Sequence, residues 1–208
     1  STSATLTEQK NPVVTVPPSN ATVCAGNNTT FSVTATGTGL SYQWQEDSGS
    51  GFGNITNGGV YSGATTATLT LTGITAGMTG NDYRVVITGT CAPTTSAAGI
   101  LTVNTLPLVT VNPVDVTVCE GLGTSFSVTA TGTGITYQWQ EDTGGGFVNL
   151  ANGGVYSNVT TSTMSISNVL GKGGYRYRAV VSGTCSPAST STSATLTEQK
   201  NPVVTVPP

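Results

Sequence analysis

Apolar and polar positions alternate along most of this chain with a period of two. Ser and Thr separate Phe31, Val33 and Ala35, and Thr separates Ala67, Leu69 and Leu71. Such alternation buries one face of an extended segment and wets the other. The β-branched Thr and Val suit a pleated surface. No segment carries apolar residues at helical spacing. Clusters of Gly, Asn and Pro break the runs every 8 to 12 residues, the rhythm of a sandwich or barrel. In the first half the pattern predicts strands over 13–16, 21–24, 30–36, 41–46, 52–55, 66–72, 82–88 and 96–103. The second half repeats the same order from Val109 to Thr197.

The halves are homologous. TVCAGNNTTFSVTATGTGLSYQWQED begins at Thr22 and TVCEGLGTSFSVTATGTGITYQWQED at Thr117. Cys24 and Cys119 are 95 residues apart, as are Trp44 and Trp139. Cys91 and Cys185 are 94 apart, so the second half lacks one residue that the first carries between Tyr61 and Tyr83. About 95 residues is an ordinary size for one small core. A longer period lies over this one, because residues 1–18 return unchanged as 191–208. The expected organisation is the last strand of a preceding repeat (1–10), a first domain (11–104), a second domain (105–199), and a linker with the first strand of the next repeat (200–208). The fold class expected is all-β, two sandwiches in tandem, cut from a longer array in which each unit meets its neighbours end to end.

Composition narrows the chemistry. The chain has no histidine, which removes Ser-His-Asp triads, imidazole acid–base catalysis and His-ligated metals. Charged residues are 7% and the net charge is −3, which leaves no basic patch for nucleic acid. The turns around Gly49–Gly51 and Gly144–Gly146 lack the lysine and helix of a phosphate loop. Glu46-Asp47 and Glu141-Asp142 precede those turns and are read as hairpin tips, with calcium as the lesser alternative. Phe52, Phe147, Tyr61 and Tyr156 recur at matching places, which argues for packing before sugar stacking. Arg84, Arg176 and Arg178 are read as fold-supporting partners of Asp82 or as a solvated face. No transmembrane run is present, and no membrane contact by this segment, no cofactor, no metal and no enzymatic activity is expected.

Each unit resembles an immunoglobulin-like sandwich. Tyr42-Gln-Trp44-Gln is similar to the strand C motif whose Trp fills the core, and Asp82-Tyr83-Arg84-Val85 to the strand F motif with its tyrosine corner. The resemblance makes Val33 and Val85 the positions where antibody domains carry their disulfide, and Val128 and Ala179 their counterparts. Core residues are therefore expected at Val33, Tyr42, Trp44, Tyr83 and Val85, and at Val128, Tyr137, Trp139, Tyr177 and Ala179. The combination VCxG, FSVTATGTG, YQWQ and YRxVVxGTC further resembles tandem repeats of very large surface adhesins of gliding bacteria, exported by the type IX route. That resemblance implies an extracellular, cell-surface stalk or filament, with surface glycan or other cells as outer partners. The alternative it leaves is a module whose loops bind carbohydrate or protein.

Four cysteines in an acidic, Thr-rich chain read as oxidised and extracellular. Four allow three pairings. On the immunoglobulin-like layout Cys24 and Cys91 fall at opposite ends of one domain, too far apart for a disulfide. The favoured expectation is an inter-domain Cys24–Cys185 bridge, with Cys91 and Cys119 pairing to neighbouring repeats. Intradomain pairs in a variant fold and free thiols are the alternatives.

Overall fold

A computed structural model describes Ser3 and residues 6–202. The chain divides into two units, Ser1–Asn104 and Thr105–Pro208. The first contains β1 (Val13–Val16), β2 (Ala21–Cys24), β3 (Thr29–Ser32), β4 (Thr34–Thr36), β5 (Ser41–Asp47), β6 (Gly53–Asn54), β7 (Tyr61–Ser62), β8 (Thr68–Leu71), β9 (Asp82–Thr88), β10 (Thr94–Thr95) and β11 (Gly99–Asn104). One sheet runs β2-β11-β9-β5-β6, with β10 also on β9; a second runs β3-β8-β7; β1 pairs β4. All pairings are antiparallel except β2 with β11, where Leu101 to Asn104 lie beside Ala21 to Cys24 in parallel.

The second unit repeats this with β12 (Leu108–Val111), β13 (Val116–Cys119), β14 (Thr124–Ser127), β15 (Thr129–Thr131), β16 (Thr136–Asp142), β17 (Phe147–Asn149), β18 (Tyr156–Ser157), β19 (Thr163–Ile166), β20 (Arg176–Ser182), β21 (Ser189–Thr190) and β22 (Ala194–Gln199). Its main sheet is β13-β22-β20-β16-β17, with β21 on β20, and its smaller sheet is β14-β19-β18.

The alternation in sequence is what separates core from surface. Along β9 the inward residues Tyr83, Val85 and Ile87 are fully buried, and along β8 so are Leu69 and Leu71. Trp44 and Trp139 are completely enclosed. Each indole N–H donates to a backbone carbonyl, Trp44 to Thr66 and Trp139 to Thr161, both at 2.9 Å. That bond removes the cost of burying a polar edge with the ring. Val33, Val85, Val128 and Ala179 are buried between the sheets. Phe31 stacks on Tyr83 with centroids 4.7 Å apart, and Phe126 on Tyr177 at 4.9 Å. Gly63 opens the turn before β8 at φ +76°, and Asn158 takes its place in the second unit at φ 59°. Gly and Asn are the residues that enter this left-handed region at least cost.

Several expectations needed correction. The strand expected over 30–36 is two strands, because β3 pairs with β8 whereas Thr34–Thr36 cross over to pair with β1, with Val33 between them. The one expected over 96–103 is β11, which starts only at Gly99, and the short β10 lies before the expected span. That over 52–55 shrinks to β6, whereas β7 escaped notice because two residues carry no periodicity. Tyr42 and Tyr137, expected in the core, are half-buried and pack against its rim. Leu6 to Lys10 are not in a strand and Leu6 is 96% exposed, whereas its copy Leu196 in β22 is fully buried between β13 and β20. The rest of the expected leading strand (Ser1, Thr2, Ala4 and Thr5) and residues 203–208 lie outside the described residues.

Candidate functional site

Continuing the alternation of β5 two residues past Trp44 turns Glu46 inward rather than out to a hairpin tip. Its Oε1 accepts from Tyr61 Oη at 2.6 Å, Asn81 Nδ2 at 2.7 Å and Tyr83 Oη at 2.7 Å. In the second unit Glu141 Oε2 accepts from Tyr156 and Tyr177. There Lys172 Nζ stands 4.0 Å from the same oxygen and 4.7 Å above the Tyr156 ring. Burial, then the neighbouring acceptor Glu46, pushes Tyr61 up to about 12. Burial also holds Tyr83, Tyr156 and Tyr177 well above the ordinary phenol range. The expected tyrosine corner is thus altered: the Tyr83 and Tyr177 hydroxyls reach a carboxylate instead of a backbone carbonyl. Sequence reasoning missed this hub, although the recurrence of Trp-x-Glu in both halves signalled it.

Asp47 and Asp142 are likewise not loose turn residues. Asp47 Oδ1 accepts from the Gly49 and Gly51 N–H groups at 2.8 and 2.9 Å. Asp142 Oδ1 accepts from Gly144 and Gly146 at 2.7 and 2.9 Å, and its Oδ2 pairs with Arg176. Those backbone donors pull both carboxyls below their usual value. With the carboxylates so engaged, no group of three or more metal-ligating side chains occurs among the described residues. The arginines differ from expectation too. Arg84 stacks on Phe52 at 3.7 Å and donates from Nε to Gln45, and Arg178 does the same with Phe147 at 3.9 Å and Gln140. The aromatics offered by the sequence for sugar stacking are thereby occupied, Phe52 and Phe147 by guanidinium groups and Tyr61 and Tyr156 by glutamates.

The cysteines mark the ends of each unit. Cys24 closes β2 directly beside Asn104, the last residue of its unit, and the next N–H, from Ala25, bonds the Asn104 carbonyl at 2.8 Å. Cys91 is at the far end. The Thr90 N–H bonds the Thr38 carbonyl, and the Thr38 N–H bonds the Lys10 carbonyl, where the chain enters the domain. From Asp82 to Thr88 along β9, and from Ile100 to Asn104 along β11 in the opposite sense, the strands between these ends span roughly 30 Å at about 3.3 Å per residue. The second unit matches. Cys185 follows Thr184, which bonds Thr133, which bonds Thr105 at the entrance; Cys119 faces Gln199 at the exit. Cys24 and Cys185 are disulfide-bonded, and Cys91 and Cys119 are free thiols. Cys185 is buried, Cys91 half-buried and Cys119 exposed.

Comparison with known proteins agrees with this architecture. Residues 14–105 match a domain family of unknown function, DUF8696. Endoglucanase C of Cellulomonas fimi is 33% identical over 182 residues, which are 86% of this chain but 15% of that protein. Among solved structures, the titin I-band fragment I67–I69 superposes with TM-score 0.73 at 18% identity, covering 91% of this chain and 66% of titin's fragment. Immunoglobulin domains 1–4 of Sidekick-1 superpose with TM-score 0.65 at 21% identity, covering 94% and 51%. The fold is therefore a tandem pair of immunoglobulin-like sandwiches. No helix among the described residues is long and apolar enough to cross a membrane.

Proposed function

We propose that this chain is a structural repeat of an extracellular bacterial surface adhesin, forming part of a stalk or filament. The observation that carries the reading is the 190-residue period, in which 191–208 restate 1–18 over two domains of one fold. Repeat arrays of this kind act through length and stiffness. The side chains support the same reading, since the polar clusters around Glu46, Asp47, Glu141 and Asp142 serve hairpins and cores. A Cys24–Cys185 bridge stiffens the link between the domains. Both residues are disulfide-bonded, and each lies at an end of its own unit, Cys24 beside Asn104 and Cys185 after Thr184, which bonds Thr133. Proline in the connecting Leu106-Pro107 adds stiffness by fixing φ. Negative-stain imaging of the native protein, on cells or sheared from them, tests the proposal. It expects straight fibres of uniform width, and loosely beaded or short particles contradict it.

The likeness to endoglucanase C favours a second reading, a module that assists binding to a polysaccharide. Affinity electrophoresis of the chain through gels containing cellulose or other glucans distinguishes the two. Retardation that disappears on Phe52→Ala and Phe147→Ala would support the binding module, and unretarded migration the structural repeat.

A further inference from the structure

The four cysteines occupy two kinds of place, and the chain satisfies one of each. Cys24 and Cys119 sit at domain exits; Cys91 and Cys185 sit at domain entrances. One exit cysteine and one entrance cysteine are disulfide-bonded, and the other two are thiols. Within the first domain exit and entrance lie roughly 30 Å apart, against a Cα separation of at most about 7 Å in a disulfide. The second domain has the same strand registers. No domain can therefore close such a bond on itself. The partner of each remaining thiol must come from another domain.

The duplicated segment says which. Cys119 faces Gln199, and the following Glu120 N–H bonds the Gln199 carbonyl at 2.8 Å. Cys91 follows Thr90, whose N–H bonds Thr38, which in turn holds Lys10 by its N–H and by its Oγ1. Gln199-Lys200 and Gln9-Lys10 are the same dipeptide within the identical stretch. Overlaying the two copies of that stretch therefore places an exit cysteine and an entrance cysteine on either side of one Gln–Lys peptide bond. Asn104–Thr105 stands in the same relation to Cys24 and Cys185. We propose that Cys119 of one repeat forms a disulfide with Cys91 of the next copy. This makes the oxidised array a continuous series of covalently stapled junctions. The proposal rests on the end-to-end reading of the repeat given above.

The chemistry balances with a small disulfide as oxidant, such as glutathione disulfide. The two thiols lose two protons and two electrons, the Sγ–Sγ bond forms, and the oxidant's S–S bond is reduced to two thiols. The exposed Cys119 is the accessible site of first attack.

The test uses two copies of the full chain joined through one shared 18-residue stretch, oxidised with glutathione disulfide, and the single chain beside it. Each repeat carries four cysteines. Thiol titration in denaturant then expects two free thiols per two-repeat chain, against four if only the bond within each repeat forms. Peptide mapping expects Cys119 of the first copy joined to Cys91 of the second. Cys119→Ser in the first copy alone should raise the titre by one thiol, leaving fibre or particle shape to report on the proposed function separately. A titre of four overturns the staple, as does a map in which Cys119 of the first copy and Cys91 of the second are each capped by glutathione, or one dominated by Cys91–Cys91 or Cys119–Cys119 links between chains. If the staple forms and native fibres are not seen, the stalk reading fails while this one stands.

Discussion

Removing the Glu46 carboxylate tests whether the buried hub holds the first domain together. Glu46→Ala leaves three donors without their acceptor: Tyr61 Oη, Asn81 Nδ2 and Tyr83 Oη. Tyr61 and Asn81 are half-buried and find water. Tyr83 is fully enclosed, so its hydroxyl has none. An orphaned buried donor costs about 1–3 kcal/mol, and each lost bond to a charged acceptor adds a smaller amount. The total is about 3–5 kcal/mol, a large share of the stability of a domain this size. For about 95 residues it lowers Tm by roughly 12 °C or more. Tyr83→Phe alone removes the donor and costs about 1 kcal/mol. In the double variant no hydroxyl is orphaned, so the combined loss should fall short of the sum by more than about 1 kcal/mol. Trp44 is the sole tryptophan of its domain. Its emission in a Trp139→Phe background therefore reports urea unfolding of that domain. Additive losses, or a Glu46→Ala cost under about 0.5 kcal/mol, would refute the hub.

Three further outcomes follow from the same geometry. Trp44→Ala should cost about 3–5 kcal/mol through the cavity it opens and should unfold the first domain ahead of the second; a melting shift of a degree or two in calorimetry contradicts the core assignment. Gly63→Ala should destabilise by about 1 kcal/mol or more, because Ala at φ +76° is strained and its Cβ would meet the Thr68 carbonyl, while Asn158→Gly stays within a few tenths; equal effects on chemical denaturation would contradict it. The pH dependence has two limbs. Asp47 and Asp142 are held below the ordinary carboxyl value of 3.8, so their contribution is present above that pH and is lost as pH falls through the lower folded values. Tyr61 is raised from 10.0 to about 12, and the other hub tyrosines are raised as well. The tyrosine contribution is thus complete below pH 10 and declines above it. Urea midpoints that stay level from pH 3 to pH 11 would contradict both limbs.

Most of the fold was legible because each strand buries one face, and a period of two survives any detail of packing. Trp44, Val33, Val85 and Tyr83, with their counterparts, were instead expected in the core from the resemblance to immunoglobulin-like strand motifs, and all are buried. The parallel pairing of β2 with β11 was not legible, since register between strands distant in sequence leaves no local mark. Glu46 was misread for a different reason. A glutamate followed by Asp and Gly looks like the start of a solvated turn, and only its phase with Trp44 says that it faces the tyrosines. Arg84, Arg176 and Arg178 were read as fold-supporting partners of Asp82 or as a solvated face. In the structure planar guanidinium groups find the aromatic rings after the turns and the Gln beside them. The cysteines were placed at domain ends from strand lengths, which set distance along a sheet whatever the side chains do.

Moving cysteines from the core to the ends need not sacrifice stability. An immunoglobulin disulfide would join positions 33 and 85, here both Val, and close an unfolded loop of about 50 residues, worth about 4 kcal/mol in the chain-entropy model. Suppose instead that Cys24 is bridged to Cys185 across the Asn104–Thr105 bond. When the first domain unfolds and the second does not, the bridge and that peptide bond close a loop from residue 24 to residue 104, about 80 residues. When the second unfolds alone, the closed loop runs from 105 to 185 and is as long. Loop entropy grows only with the logarithm of length, so each domain gains about 4.5 kcal/mol by the same model, and both gain from one bond. A core disulfide would stabilise only the domain that contains it. Cys24→Ser should therefore lower the stability of both domains by roughly 2–4 kcal/mol, although the residue belongs to the first. Following Trp44 emission in a Trp139→Phe background, and Trp139 emission in a Trp44→Phe background, separates the two effects. A loss confined to the first domain would show that the bond acts as a local packing contact, and the account of the chain as a series of mutually stabilised domains would fall with it.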